Sequence, residues 1–275
     1  MNDAANQSEF PAWTDESLAA PHTEVDKASR VNQMFGAIAG SYDLNNRVHS
    51  LWMDQSWRRR AVRMTEVRPG EDEVVDVACG TGDLAMEFAE WAPRSVLGVD
   101  FTPQMIEIAR RKAAVQDDGA SLARRVRGER RRWTSPVYRV GDAMDLDLPD
   151  ASADIVSIAF GIRNVADPAL ALAEFRRILR PGGRLLILEF SLPTNPVLRH
   201  LYLFYFHHIM PRTATWLSRD RSGAYRYLPR SVSTFLGRAE ICELMSRAGF
   251  ESMDMKAMTC GICVAYLGRV PTVST

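Results

Sequence analysis

The chain has 275 residues and carries 34 Lys plus Arg against 34 Asp plus Glu, so its formal net charge is zero and the overall balance gives no case for a nucleic-acid partner. Four cysteines, no secretory signal and no apolar run of bilayer length argue against a disulfide scaffold and a membrane-spanning protein, and point to a reducing cytoplasm. The length suits one large α/β domain with appendages and is short for two full catalytic domains.

Taken in order, residues 1–26 mix small, polar and acidic side chains with Pro11 and Pro21 and read as a mobile tail. Residues 27–70 read as N-terminal helices. Val31, Met34, Phe35 and Ile38 recur at helical spacing up to about Tyr42, and a second helix starts near Asp54 and runs through Trp57, Ala61, Val62 and Met64. Arg68-Pro69-Gly70 breaks the chain before the first strand.

The stretch Glu73 to Asp100 organises the rest of the chain. An apolar run (Val74, Val75, Val77, Ala78) meets Gly80-Thr81-Gly82-Asp83, an amphipathic segment with Leu84, Phe88 and Trp91 comes next, and a second apolar run ends on Asp100. In such a strand, glycine turn, helix and strand, Gly80 and Gly82 turn the backbone and let a ligand approach it, and Asp100 can accept both hydroxyls of a ribose. Gly80-x-Gly82-x-x-Ala85 also satisfies the dinucleotide fingerprint, so a nicotinamide oxidoreductase competes. A pyrophosphate at the helix start, however, would meet the carboxylate of Asp83 with Asp76 beside it. Those acids suit a cation, and S-adenosylmethionine joins an ammonium and a sulfonium to an adenosine.

Beyond Asp100, Thr102-Pro103 starts a helix read to about Ala114. Arginines at 124, 125, 127, 130, 131 and 132 then crowd one segment, read as a solvated insertion loop with contact to anionic headgroups as the sharper alternative. A third strand, Val137 to Val140, leads to Gly141-Asp142-Ala143, where Asp142 can meet an adenine amino group or simply bond its own turn. A fourth strand, Asp154 to Phe160, delivers Gly161-Ile162-Arg163-Asn164. A helix from Pro168 to Leu179 ends at Arg180-Pro181-Gly182-Gly183, and a fifth strand, Arg184 to Phe190, comes after it. The alternation predicts right-handed crossovers and a doubly wound sheet.

Residues 191–234 break that rhythm with Tyr202, Phe204, Tyr205, Phe206, His207 and His208 in one run, and read as a cover for a greasy substrate. A helix at 237–247 and an antiparallel hairpin near 251–258 and 261–267 complete the chain. Cys260-Gly261-Ile262-Cys263 has no second pair and no nearby histidine, so no metal site is expected.

Several blocks resemble the ubiquinone/menaquinone biosynthesis C-methyltransferases, a family within the class I S-adenosylmethionine-dependent methyltransferases. They are Phe35 with Ser41-Tyr42-Asp43, Cys79-Gly-Thr-Gly-Asp-Leu84, Phe160-Gly-Ile-Arg-Asn-Val165, Leu188-Glu-Phe-Ser191, His207 with Pro211-Arg212, and Tyr225-Arg-Tyr-Leu228. The resemblance runs from about Val31 to Gly268. It implies a Rossmann-like α/β domain over 71–268, with a doubly wound, mostly parallel seven-stranded sheet and the C-terminal hairpin. It also implies S-adenosylmethionine as methyl donor and a prenylated quinol as acceptor, usually demethylmenaquinol. A polyprenyl benzoquinol or another small lipid or aromatic is the alternative acceptor, and a membrane-surface adaptor is the non-enzymatic one.

On this reading the donor is held by Asp76, Gly80, Thr81, Gly82, Asp100, Asp142 and Ala143, with Ala159 standing where the family has a serine contact. Carbon methylation needs an electron-rich ring. Arg163 is expected to hold the quinol oxyanion with Asn164 as second donor, His207 or a relayed water to take the proton, and Tyr42 to sandwich the ring. Expected partners are the quinol, a peripheral contact at the inner face of the membrane and a second copy of the chain in a homodimer, with no nucleic acid.

Overall fold

The computed structural model describes residues 12–14, 16–127, 133–218 and 222–272, with the side chains of 120–127 and 217 left aside. Its elements are α1 (Lys27–Ser50), α2 (Met53–Met64), β1 (Glu73–Val77), α3 (Asp83–Ala89), β2 (Ser95–Asp100), α4 (Pro103–Arg127), β3 (Val137–Val140), β4 (Ala153–Ala159), α5 (Pro168–Ile178) and β5 (Leu179–Phe190). They continue with α6 (Pro196–Phe204), a π turn (Tyr205–Ile209), α7 (Met210–Ser218), α8 (Ala224–Thr234), α9 (Arg238–Arg247), β6 (Glu251–Met258) and β7 (Cys263–Arg269).

The strands form one seven-stranded sheet in the order β3-β2-β1-β4-β5-β7-β6. β1 runs parallel to β2 and β4, β3 to β2 and β5 to β4, while β7 alone is reversed and pairs antiparallel with both β5 and β6, as the doubly wound reading with a terminal hairpin expects. The inner strands are apolar on both faces because helices cover both. Leu186 and Leu188 pack with Trp57, Phe88 and Ile106 under α2, α3 and α4, whereas Leu185 and Ile187 pack with Phe175, Ile241 and Met245 under α5 and α9. A third cluster sits apart from the sheet and joins Trp13, Met34 and Ile38 to Phe206, Tyr225 and Tyr227.

Four boundaries differ from the sequence reading, each for a tertiary reason. First, α1 does not stop at Ser41-Tyr42-Asp43. It continues to Ser50 because Asp43 is taken up by Thr81 (2.6 Å) and Lys112 (2.7 Å) rather than by its own backbone. Second, α4 runs on to Arg127 instead of ending near Ala114. The arginine-rich segment therefore begins inside a helix, and the headgroup expectation for it lies outside the described side chains. Third, Pro181 to Gly183 form a register shift inside β5: Ala153 pairs with Leu179, but Ile155 pairs with Arg184.

The fourth concerns the tail. Residues 1–11 lie outside the described residues, but 12–14 and 16–26 are docked instead of loose. Trp13 is 0% exposed and stacks on Tyr227 with ring centroids 4.3 Å apart; its amide donates to the Ser222 carbonyl, and Arg30 donates to that of Ala12. An aromatic that finds a ring outweighs the polar composition around it, since burying a tryptophan contributes on the order of 3 kcal/mol.

Candidate active site

The site lies at the carboxyl ends of β1, β2 and β4, as expected for an open α/β sheet. The turn after β1 holds two left-handed residues, Ala78 (φ 50°) and Gly80 (φ 56°). The turn is held by Asp100: its two carboxylate oxygens accept the Gly80 and Thr102 amides, each at 2.8 Å. Burial raises the pKa of that carboxyl, and the two amides oppose the shift. A carboxylate has about four lone-pair sites, so two acceptors remain for other hydroxyls. Gly80, Asp100, Thr102, Asp142, Ala143 and Ala159 line a cleft of about 780 Å³. Asp142 bonds the Met144 amide at 2.9 Å, the turn role anticipated for it, and still lines the cleft. Ala159 offers the cleft a methyl and no hydroxyl.

Three expected donor contacts are placed elsewhere. Asp76 lies on β1 opposite Ser157 of β4, 1% exposed, accepts the Ser157 hydroxyl at 2.7 Å and lines neither this cleft nor the larger cavity beside it. Desolvation pushes its pKa up to about 7. Thr81 gives its hydroxyl to Asp43. Gly82 (φ 86°) does admit a close approach, but by Tyr138: a Cβ there would meet the Tyr138 hydroxyl at 2.5 Å. Asp83, invoked to attract a cation, is already paired with Lys112 and with Arg47. Although burial opposes its ionisation, Arg58, Lys112 and Arg47 hold its carboxyl well below the usual range. The acids that line the cleft are Asp100 and Asp142.

The larger cavity, of about 1460 Å³, adjoins the cleft, and Phe35, Tyr42 and Phe160 line both. Its other walls come from α1, α2 and the 202–228 region, with Ile38, Trp57, Phe190, Tyr202, Phe206 and Tyr225 among them. Phe160, the residue after β4, sits at φ 56°, a conformation that costs a bulky residue on the order of 1–3 kcal/mol. That bend turns the Gly161–Asn164 segment back under the cavity.

Arg163 lines this second cavity while 4% exposed. One of its nitrogens donates both to Glu189 (2.6 Å) and to the Phe160 carbonyl (2.7 Å), and its guanidinium lies 5.4 Å from the Phe190 centroid. Burial raises the pKa of Glu189, and the Arg163 charge counters it. Asn164 lines the first cleft, donates to the Phe160 carbonyl and accepts the Tyr227 hydroxyl at 3.0 Å.

His207 is not brought in. It is exposed, meets Ser233 at 3.2 Å and lines neither cavity, because the π turn directs Phe206 inward in its place. The histidine on the cavity wall is His49, whose Nδ1 meets the Asn45 carbonyl and whose Nε2 meets Thr213.

Sequence reasoning also missed Arg58, which is 6% exposed, paired with Asp54 at 2.7 Å and placed over the Phe160 ring. An Asp and an Arg four apart on a helix read as a solvated pair. The signal was their register, since 54, 57, 58 and 61 form one stripe with Trp57 and Ala61.

Comparison with known proteins shows the family of the chain. The family model described as "ubiE/COQ5 methyltransferase family" matches residues 23–269. The "Ubiquinone/menaquinone biosynthesis C-methyltransferase UbiE" of Citrifermentans bemidjiense is 41% identical over 88% of this chain and 97% of its own length. The "Demethylmenaquinone methyltransferase" of Deinococcus radiodurans is 40% identical over 88% of this chain and 93% of its own. Among solved structures, a SAM-dependent methyltransferase of Thermotoga maritima superposes with a TM-score of 0.59 at 21% identity, covering 87% of this chain and 99% of its own, a likeness of fold.

Proposed function

We propose that this chain, which belongs to the ubiE/COQ5 methyltransferase family and takes its methyl group from S-adenosylmethionine, methylates a ring carbon of a prenylated quinol, demethylmenaquinol to menaquinol. One observation carries the reading: a cleft ending in Asp100 and a larger aromatic cavity holding Arg163 share the wall formed by Phe35, Tyr42 and Phe160.

The donor supplies an electrophilic methyl on a sulfonium. Residues suited to hold it are Gly80, Asp100, Asp142 and Ala143, with Asp100 taking the ribose hydroxyls on its two spare acceptor sites.

The rest of the chemistry falls to the second cavity. A phenol with a pKa near 10 is mostly neutral at physiological pH, so the ring becomes nucleophilic only where the oxyanion is stabilised. Arg163 supplies a fixed positive charge in a water-poor setting, held in orientation by Glu189 and the Phe160 carbonyl. Asn164 is braced between that carbonyl and Tyr227 at the junction of the two spaces. His49 takes the place of His207 as the cavity's histidine. If Nδ1 donates to the Asn45 carbonyl, Nε2 is the atom able to accept the hydroxyl proton, competing there with the Thr213 hydroxyl.

Residues 191–234 act as the substrate cover. Among the described residues no helix is long and apolar enough to cross a membrane. On α6, Val197 (66% exposed), Leu201 (59%) and Phe204 (55%) share one face, and Tyr202 of the same helix lines the cavity. That face rests on the membrane surface and admits the prenyl chain from it.

The deciding experiment incubates the protein with S-adenosylmethionine and a reduced, prenylated demethylnaphthoquinone, and looks for the methylated ring by reverse-phase chromatography with mass detection. Methylation of a prenylated benzoquinol in its place would move the acceptor to that ring, and no product from either would overturn the reading.

A further inference from the structure

The acceptor cavity holds a second guanidinium whose position a purely structural role does not require. Arg58 is 6% exposed, lines the cavity and lies 5.4 Å from the centroid of Phe160. Arg163 lies 5.4 Å from the centroid of Phe190, and the two rings are 4.5 Å apart. Two arginines therefore flank one continuous aromatic platform, and both charges act on the Tyr42 phenol in the wall above it.

The bonding of Arg58 leaves most of its donors for the cavity. Its hydrogen bond to Asp54 uses Nη1 alone, whereas a guanidinium carries five N–H donors. Among the described residues its other nitrogens are not sealed donors lacking a partner, in contrast to Nε of Arg163. Arg58 lines the cavity, and among the described residues the bond to Asp54 is the one hydrogen bond its guanidinium makes. Asp54 does not depend on Arg58, because Arg47 (3.0 Å) and Ser50 (2.8 Å) also bond it.

Asp54 balances the charge of Arg58 but takes only one of its nitrogens, and the remaining N–H donors of a desolvated guanidinium on an apolar wall are costly to leave without an acceptor. We infer that Arg58 holds the second oxygen of the acceptor ring, the one para to the hydroxyl held by Arg163, and so selects rings with two oxygens over rings with one. The inference rests on the quinol reading and adds to it a specificity-determining residue.

The test uses two prenylated substrates: the naphthalene-1,4-diol, and a 1-naphthol that keeps the hydroxyl beside the methylated carbon and lacks the para oxygen. Wild type and Arg58→Met are assayed on both. Any intrinsic difference in ring reactivity is common to the two proteins and cancels in the comparison. The expected result is that Arg58→Met lowers kcat/KM for the diol by about 10- to 100-fold, the scale of a hydrogen bond to a charged group, and leaves the naphthol nearly unchanged. Arg58→Lys should restore part of the preference, and S-adenosylhomocysteine affinity by calorimetry should stay constant in both variants.

An equal loss on both rings, or a preference retained in Arg58→Met, would overturn the proposal and leave Arg58 as a partner of Asp54 within α2. If Arg58→Met fails to bind S-adenosylhomocysteine, Arg58→Gln, which keeps an N–H donor for Asp54 and removes the charge, decides, and an unaltered preference there with full activity overturns the proposal too. A wild-type protein that methylates neither ring would sink the quinol reading itself.

Discussion

The two cavities are built by different means. The cleft proposed for the donor is made mostly where strands end: Gly80 lies just after β1, Asp100 closes β2, Asp142 and Ala143 lie just after β3, and hydrogen bonds from backbone amides set the Asp100 carboxylate. The larger cavity, proposed for the acceptor, is made by side chains that meet from α1, α2, the end of β4 and the 202–228 region. Backbone-made sites tolerate change around them and depend on one or two groups. Sites made by helices converging from distant segments depend on how those segments dock.

Four experiments would break or sharpen that contrast. The largest effect should separate the cavities outright. Asp100→Ala is expected to weaken S-adenosylhomocysteine binding by about 100-fold or more, since each hydrogen bond to a charged group contributes about 1.5–3 kcal/mol. Arg163→Met should instead keep that affinity and lower turnover by about 10²–10³. Calorimetry and single-turnover rates read the two effects, and unchanged turnover in Arg163→Met would remove its oxyanion role.

Next comes the docked N-terminal segment. Trp13→Ala should cost about 3 kcal/mol of stability and raise KM for the quinol without altering donor affinity, because Trp13 packs on Tyr227 of the acceptor cover. Equal weakening of both ligands would show that the segment supports the whole domain.

A smaller effect belongs to Asp76. Its folded pKa is raised from 3.8 to about 7, so between those values the folded protein binds more protons than the unfolded chain, and the group's contribution becomes less favourable as pH rises. Asp76→Asn should therefore melt higher than wild type at pH 7.5, with the gap closing as pH falls toward 5. A gap that does not change with pH would rule out ionisation as its cause. Smallest of all, His207→Gln should leave kcat/KM within about twofold, as for surface changes worth under about 0.5 kcal/mol. A loss of a hundredfold would return His207 to the chemistry.

The legibility of each region follows from its construction. Strand-end glycines and the acid at the end of β2 announce themselves because backbone geometry needs those residue types at those spacings. The doubly wound sheet, the antiparallel hairpin and the place of Asp100 at the end of β2 were readable for that reason. Asp76 and Asp83 were misassigned because a carboxylate near a glycine turn looks alike in sequence whether it faces a ligand, as expected, or Ser157 and Lys112, as found. His207 was misassigned because a run of aromatics and histidines does not reveal which of them a π turn sends inward. Arg58 and His49 were overlooked because a charge beside polar neighbours reads as solvated until a second element covers it.

The sequence by itself determined the alternation of strands and helices, the glycine turn and the acid that faces it, since local sterics and hydrophobic period act within a few residues. Only the tertiary structure decided which charged side chains line a cavity and which are consumed in pairs, and that Trp13 seats itself against Tyr227. Those outcomes depend on desolvation and on partners brought together from residues far apart in the chain, which no local pattern encodes.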